Sequence, residues 1–357
     1  MSAGALGARV PPAVSFDAPD DLDAINRLYR EKRWSDGLPI VPPTEARVER
    51  MLAAVDAYRR DDVIASLAPA FNAATVERIA INAVLAGCDP ELMPALIAAV
   101  DAVAAREFNL QAIQATTNSV AVWVVVNGPA AATLGINGTF NCLGEGAWAN
   151  ATLGRALRLV LRNLGGALPG DLDRATHGQP GKYSFCCAEN ETANPWEPLH
   201  VERGFARDAS TVTVIGAEGT MNMNSHSKDA DELIRVFGET IQHPPSNEYT
   251  HGGEPWIIVG PEHAAILAAA GCTKADVKTA LWDATKLPGR RMAQRDFERA
   301  VQSRRKELGE ITPDTLLPIA PNADGIGIVV AGGPGTHSVY VPCFGNSRAV
   351  TRAFATA

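Results

Sequence analysis

Apolar residues at 76, 79, 80, 83 and 84 (Val76, Ile79, Ala80, Ala83, Val84) repeat with the spacing of one helical face. Thr75 can open that helix and Gly87 can close it. Asp89-Pro90 then offers an N-cap and a first-turn proline for a helix over residues 91–106. Nearer the start, Asp20 or Asp21 can cap a helix reaching residue 34, which the Asp36-Gly37-Leu38-Pro39 cluster ends. A further helix is predicted over residues 44–58, after Pro42-Pro43. The run VAVWVVV at 120–126 is continuous and mostly β-branched, as expected of a strand buried on both faces. Asn127-Gly128-Pro129 stops it. A Gly/Asn-rich loop at 135–146 leads into a helix over 147–163, and a long Gly/Pro-rich loop follows at 165–182.

From about residue 210 the pattern alternates. Strands are predicted at 211–216 and 256–260, helices at 229–242, 261–270, 274–285 and 293–308, and extended segments at 326–331 and 338–342. Alternation of this kind predicts an α/β fold: a helix-rich N-terminal region with a buried strand, then an alternating C-terminal region with a largely parallel sheet. We divide the chain into an arm (1–19), an N-terminal α/β domain carrying the main candidate site (20–205) and a C-terminal α/β domain (206–357).

The chain has 357 residues, 46% hydrophobic and 20% charged, with a formal net charge of −8. That acidic balance, with no Lys/Arg-rich tract, argues against a nucleic-acid partner. The longest apolar runs are too short to span a bilayer. The first residues lack the basic and apolar regions of a secretory signal, so a cytoplasmic location is expected. Six scattered cysteines do not make a disulfide scaffold.

The densest chemistry lies at 183–196, YSFCCAENETANPW. Cys186 and Cys187 read either as a redox pair or as two strand residues pointing to opposite sides. Glu189 and Glu191 would share a strand face, where two nearby carboxylates split their pKa values or bind a divalent cation. Asn190 between them is a candidate substrate contact. Gly144-Glu145-Gly146 precedes a helix bearing Asn150 and Arg155, and Arg155 is placed to grip a carboxylate. Arg158 and Arg162 continue its stripe. Cys88, near a helix start, is a candidate thiolate. Gly333, in a glycine-rich turn, and His337 beside it form a candidate anion nest. The histidines show no established zinc spacing.

Several blocks, WSDGLPIVPPTE (34–45), NAVLAGCDPE (82–91), ANATLGRALRL (149–159), GQPGKYSFCCAENE (178–191) and PEHAAILAAAGCTK (261–274), resemble the bacterial family associated with UGSC-motif selenoproteins and their cysteine counterparts. The resemblance implies thiol or selenol redox work, although this chain has no Cys-Gly-Ser-Cys string. The expectation is an enzyme acting on a small anionic substrate through a carboxylate/thiol site, with thiol-dependent redox chemistry as one version. A lyase or hydrolase using the paired carboxylates, with or without a metal, is the alternative, as is a non-catalytic ligand-binding subunit of a redox system. Either reading leaves room for a homo-oligomer.

Overall fold

The structure, a computed structural model, describes residues 10–355. Residues 1–9 of the expected arm lie outside that range. Its described part has no helix or strand, and the Ala13 backbone N–H donates to Glu77 Oε2 at 3.0 Å.

The chain begins with helices α1 (Leu22–Glu31) and α2 (Glu45–Ala53), the hairpin β1 (Val63–Leu67) and β2 (Asn72–Thr75), and helices α3 (Val76–Ala86), α4 (Met93–Ala104) and α5 (Leu110–Ala115). Local signals set these ends. Asp21 caps α1 by accepting from the Ala24 N–H, Thr75 caps α3, and Gly87 leaves α3 in the left-handed conformation at φ 87°. Strand β3 (Ala121–Asn127), helices α6 (Pro129–Thr133) and α7 (Trp148–Asn163), and strand β4 (Cys186–Ala188) follow. After helix α8 (Leu199–Glu202) come β5 (Ser210–Ala217), β6 (Met221–Asn224), α9 (Ala230–Ile241), α10 (Asn247–His251) and β7 (Trp256–Val259). Helices α11 (Pro261–Ala269) and α12 (Lys274–Ala284), short strand β8 (Leu287–Pro288), α13 (Gln294–Leu308) and β9 (Leu316–Leu317) precede β10 (Gly327–Val330), β11 (His337–Val341) and β12 (Val350–Phe354).

Two four-stranded sheets form the centre, in the orders β12-β5-β3-β4 and β10-β7-β11-β6. Side-chain alternation sorts three cores. In β3, Val124 and Val126 pack with α3, α4 and α7, whereas Trp123 and Val125 face the second sheet. In β7, Trp256 and Ile258 face the first sheet, while Ile257 and Val259 pack under the helices of the C-terminal half. The result is four layers: helices, sheet, sheet, helices. Trp123 fills the middle, stacked on Phe185 at 5.6 Å and edge-on to Trp256 at 6.0 Å.

The fold is α/β as expected, and the continuous apolar run of β3 is explained by burial on both faces. Parallel pairing is present, but the second sheet is mixed rather than largely parallel. Only β10 and β7 run parallel there, while β11 is antiparallel to both β7 and β6. The segment between β10 and β11, residues 331–336, is too short for the crossover helix that a parallel return requires. The division at residue 205 runs through a sheet: β5, beyond it, is the antiparallel partner of β3, and β12 is the antiparallel partner of β5. Residues 218–220 carry the chain from one sheet to the other, and an isolated bridge between Ala217 and Cys343 ties the sheets again. Among the described residues no helix is long and apolar enough to cross a membrane.

Candidate functional site

Strand β4 lies parallel to β3, with Cys186 opposite Val124 and Cys187 opposite Val125. Alternation sends Cys186 into the helix-side core and Cys187 into the core between the sheets. The two neighbouring thiols therefore belong to different compartments and do not act as one pair. Burial pushes the Cys186 thiol well above its ordinary range. Cys88 is buried too, donates to the Thr152 carbonyl at 3.3 Å, and is pushed up to about 12 by burial. Desolvation outweighs the helix start that suggested a thiolate there.

Strand β4 ends at Ala188, so Glu189 and Glu191 lie beyond it and not on a strand face, yet one side chain brings them together. The Asn127 amide sits between them and donates to Glu189 Oε2 at 2.5 Å and to Glu191 Oε1 at 3.1 Å. Their environments differ sharply. Glu189 is 4% exposed and also accepts from Leu199 N (2.8 Å), Asn194 Nδ2 (2.8 Å) and Val330 N (3.4 Å). Burial raises its pKa, opposed by the charge of Lys274 and by these donors. Such a carboxylate rivets β3, β10 and α8 together and offers no oxygen to a substrate. Glu191 is partly exposed, accepts from Gly128 N at 2.7 Å and lies 3.7 Å from Nδ1 of the fully buried His200. Asn190 is spent on the chain: its N–H donates to the Val330 carbonyl and its amide to the Gly332 carbonyl.

Arg155 lies on α7 as expected, but its carboxylate is internal. It grips Asp36 through two bonds of 2.8 and 2.9 Å and also donates to the Pro39 carbonyl. The stripe below is not a solvated face: Arg158 and Lys182 both pair with the buried Asp173. Asn150 holds the 135–146 loop closed, donating to the Asn137 and Cys142 carbonyls and accepting from Asn137 N. Glu145 is exposed, and a hydrogen bond from Asn141 lowers its pKa. Gly333 does not form a free nest, because a Cβ there would meet the Phe140 ring at 2.2 Å. His337 is exposed and contacts Asn222 Oδ1 at 3.1 Å.

Several of these residues meet at a cleft of about 390 Å³, lined by Leu143, Gly144, Glu145, Asn150, Tyr183 and Cys186 among others, with Thr220 from the crossing between the sheets. Of the sequence candidates it unites Glu145, Asn150 and Cys186. Arg155, Glu189, Glu191, Cys88, Gly333 and His337 lie outside its lining. Among the described residues, no group of three or more His, Cys, Asp or Glu side chains is arranged to hold a metal ion.

One residue that sequence reasoning passed over stands beside the cleft. Cys142 precedes Leu143 in its wall and is 7% exposed. It shares the core between the sheets with Cys187, while the Cys142 and Gly332 backbone N–H groups donate to the Thr139 and Gly138 carbonyls at 3.2 and 2.9 Å. The neighbouring Cys187 thiol is the largest cause of a lowered Cys142 pKa, opposed by burial. Cys187 moves the other way, well above its ordinary range. The glycines of the 135–146 loop were the available signal, but Cys187, from β4, was not predictable as a neighbour in the same core. A second buried acid was also missed: Glu248 accepts from Ser246, from Cys343 N at 2.9 Å and from the Tyr340 hydroxyl, and burial pushes it up to about 8.

Comparison with protein-family models, curated proteins and solved structures found no match.

Proposed function

We propose that the protein is an enzyme that acts on a small molecule through thiol chemistry, with the Cys142 thiolate as nucleophile beside the 143–186 cleft. The observation that supports this is the Cys142 thiol next to Leu143 of the cleft wall, whose pKa is lowered whereas those of Cys88, Cys186, Cys187 and Cys343 are raised. A thiolate, not a thiol, is the nucleophile, and a lowered pKa raises its fraction at neutral pH. The blocks resembling the UGSC-motif family point toward the same chemistry. Two parts of the initial expectation lose their carriers. Glu189 has its oxygens filled by protein donors, so paired-carboxylate hydrolysis has no free acid there. Arg155 is engaged by Asp36, so an anionic group on the substrate has no obvious grip.

Alkylation with iodoacetamide, followed by peptide mass analysis, tests the reading. Cys142 should modify first, with a pH midpoint below the ordinary thiol value of about 8.5. Cys142→Ser should abolish turnover of small electrophiles such as a disulfide, a peroxide or a thioester while keeping the circular dichroism of the parent. If another cysteine reacts first, or if Cys142→Ser turns over normally, the reading fails.

A further inference from the structure

We propose that a second site, roofed by the N-terminal arm, binds a protonated aliphatic polyamine. A cleft of about 1010 Å³ lies between arm residues 13–20 and helices α1, α2 and α3, ample for a small molecule. It shares no lining residue with the 143–186 cleft, and the proposal does not rest on the Cys142 reading.

Phe16 from the arm, Tyr29 from α1 and Trp34 just beyond α1 meet in the lining. The Trp34 ring lies 5.9 Å from Phe16 and, edge-on, 5.5 Å from Tyr29. Aromatic faces attract cations and repel anions. The charged lining has the same preference. Asp17, Asp20, Glu45, Glu49 and Glu77 line the cleft beside a single cation, Arg60. Arg60 is already shared between Glu49 at 3.1 Å and Glu77 at 2.7 Å. Among the described residues Glu45 accepts only from the Ser15 hydroxyl, at 3.4 Å. That balance disfavours an anionic ligand and draws in a cation.

Two details separate a polyamine from a quaternary ammonium ion. Tyr29 is only 8% exposed, yet its hydroxyl has no hydrogen-bond partner among the described residues, which leaves it for a ligand N–H. A quaternary ammonium ion has no N–H to give. The carboxylates also stand on opposite walls, Asp17 and Asp20 on the arm and Glu45, Glu49 and Glu77 on α2 and α3. A chain carrying several ammonium groups meets both walls at once. The arm itself is held by the Ala13 N–H on Glu77 at 3.0 Å, by Arg78 on the Pro11 carbonyl at 3.4 Å and by the Phe16–Trp34 contact. Contacts so few, on a segment without helix or strand, open locally at small cost and give a ligand its way in.

Calorimetric titration of the full-length protein with spermidine tests the proposal, beside choline and the uncharged 1,6-hexanediol. Spermidine should saturate one site, with choline and the diol binding at least about tenfold more weakly. Trp34→Leu and Glu45→Gln, both at exposed positions where the fold tolerates change, should each weaken spermidine about tenfold. Tyr29→Phe removes only the hydroxyl and should weaken spermidine several-fold while leaving choline unchanged. Glu239→Gln, an exposed acid on α9, should match the parent. Absence of saturable spermidine binding, choline binding as tightly as spermidine, or equal effects of Glu239→Gln and Glu45→Gln would each overturn the proposal.

Discussion

Glu189→Gln separates a structural carboxylate from a catalytic one. Glu189 Oε2 accepts from Asn127 Nδ2 at 2.5 Å and Leu199 N at 2.8 Å, and Oε1 accepts from Asn194 Nδ2 at 2.8 Å and Val330 N at 3.4 Å. Glutamine keeps a single oxygen. Whichever way its amide turns, an NH₂ group faces two donors, and two bonds to a charged acceptor are lost. At about 1.5–3 kcal/mol each, the gross loss is about 3–6 kcal/mol. Removing a buried charge returns part of its desolvation cost, so a net loss of about 3 kcal/mol is expected. Urea unfolding followed by circular dichroism would read this as a lower midpoint at unchanged slope. Glu191→Gln, at a partly exposed position, should cost less than about 1 kcal/mol. Equal stability of the parent and Glu189→Gln, or equal losses in the two variants, would refute the assignment of Glu189 as a rivet between the layers.

Three further outcomes follow from the same contacts. Native Glu248 holds its proton up to about pH 8, whereas the unfolded chain releases it near the ordinary 4.5, so this group makes stability fall as pH rises between those values. The slope is up to about 1.4 kcal/mol per pH unit, and Glu248→Gln should flatten it in denaturation curves taken from pH 5 to 8. Gly138→Ala would set a Cβ 2.6 Å from the Ala188 carbonyl oxygen. The loop bearing Cys142 must then shift, which should cost about 1–3 kcal/mol and slow Cys142 alkylation; an unchanged alkylation rate would contradict the coupling. Asp36→Ala strands the largely buried Arg155 and should cost about 3 kcal/mol, while the double variant Asp36→Ala/Arg155→Met should recover part of the loss in the same assay.

Local signals in the chain determined many of the longer helices and the central strand, but not the β1–β2 hairpin, β6 or β12. Asp21, Thr75, Gly87 and Asp229 mark helix ends by interactions within a few residues, so the sequence specifies them without help from the rest of the fold. The same holds for β3, whose uninterrupted apolar run requires burial on both faces. The 183–196 segment was also legible as a place of concentrated chemistry. Its parts were not, because a residue's role there depends on partners remote in sequence. Glu189 becomes a rivet through Asn127, Leu199 and Val330; Arg155 is occupied by Asp36; and Cys186 and Cys187 are divided between two cores. Sheet direction likewise depended on a connection too short for a crossover. Cys142 is the clearest case. Its sequence setting is an ordinary Gly-rich loop, and only tertiary packing places it in the core between the sheets with Cys187. Periodicity and caps act over a few residues, whereas the environment that sets a thiol's charge is assembled from whichever segments the layers press together.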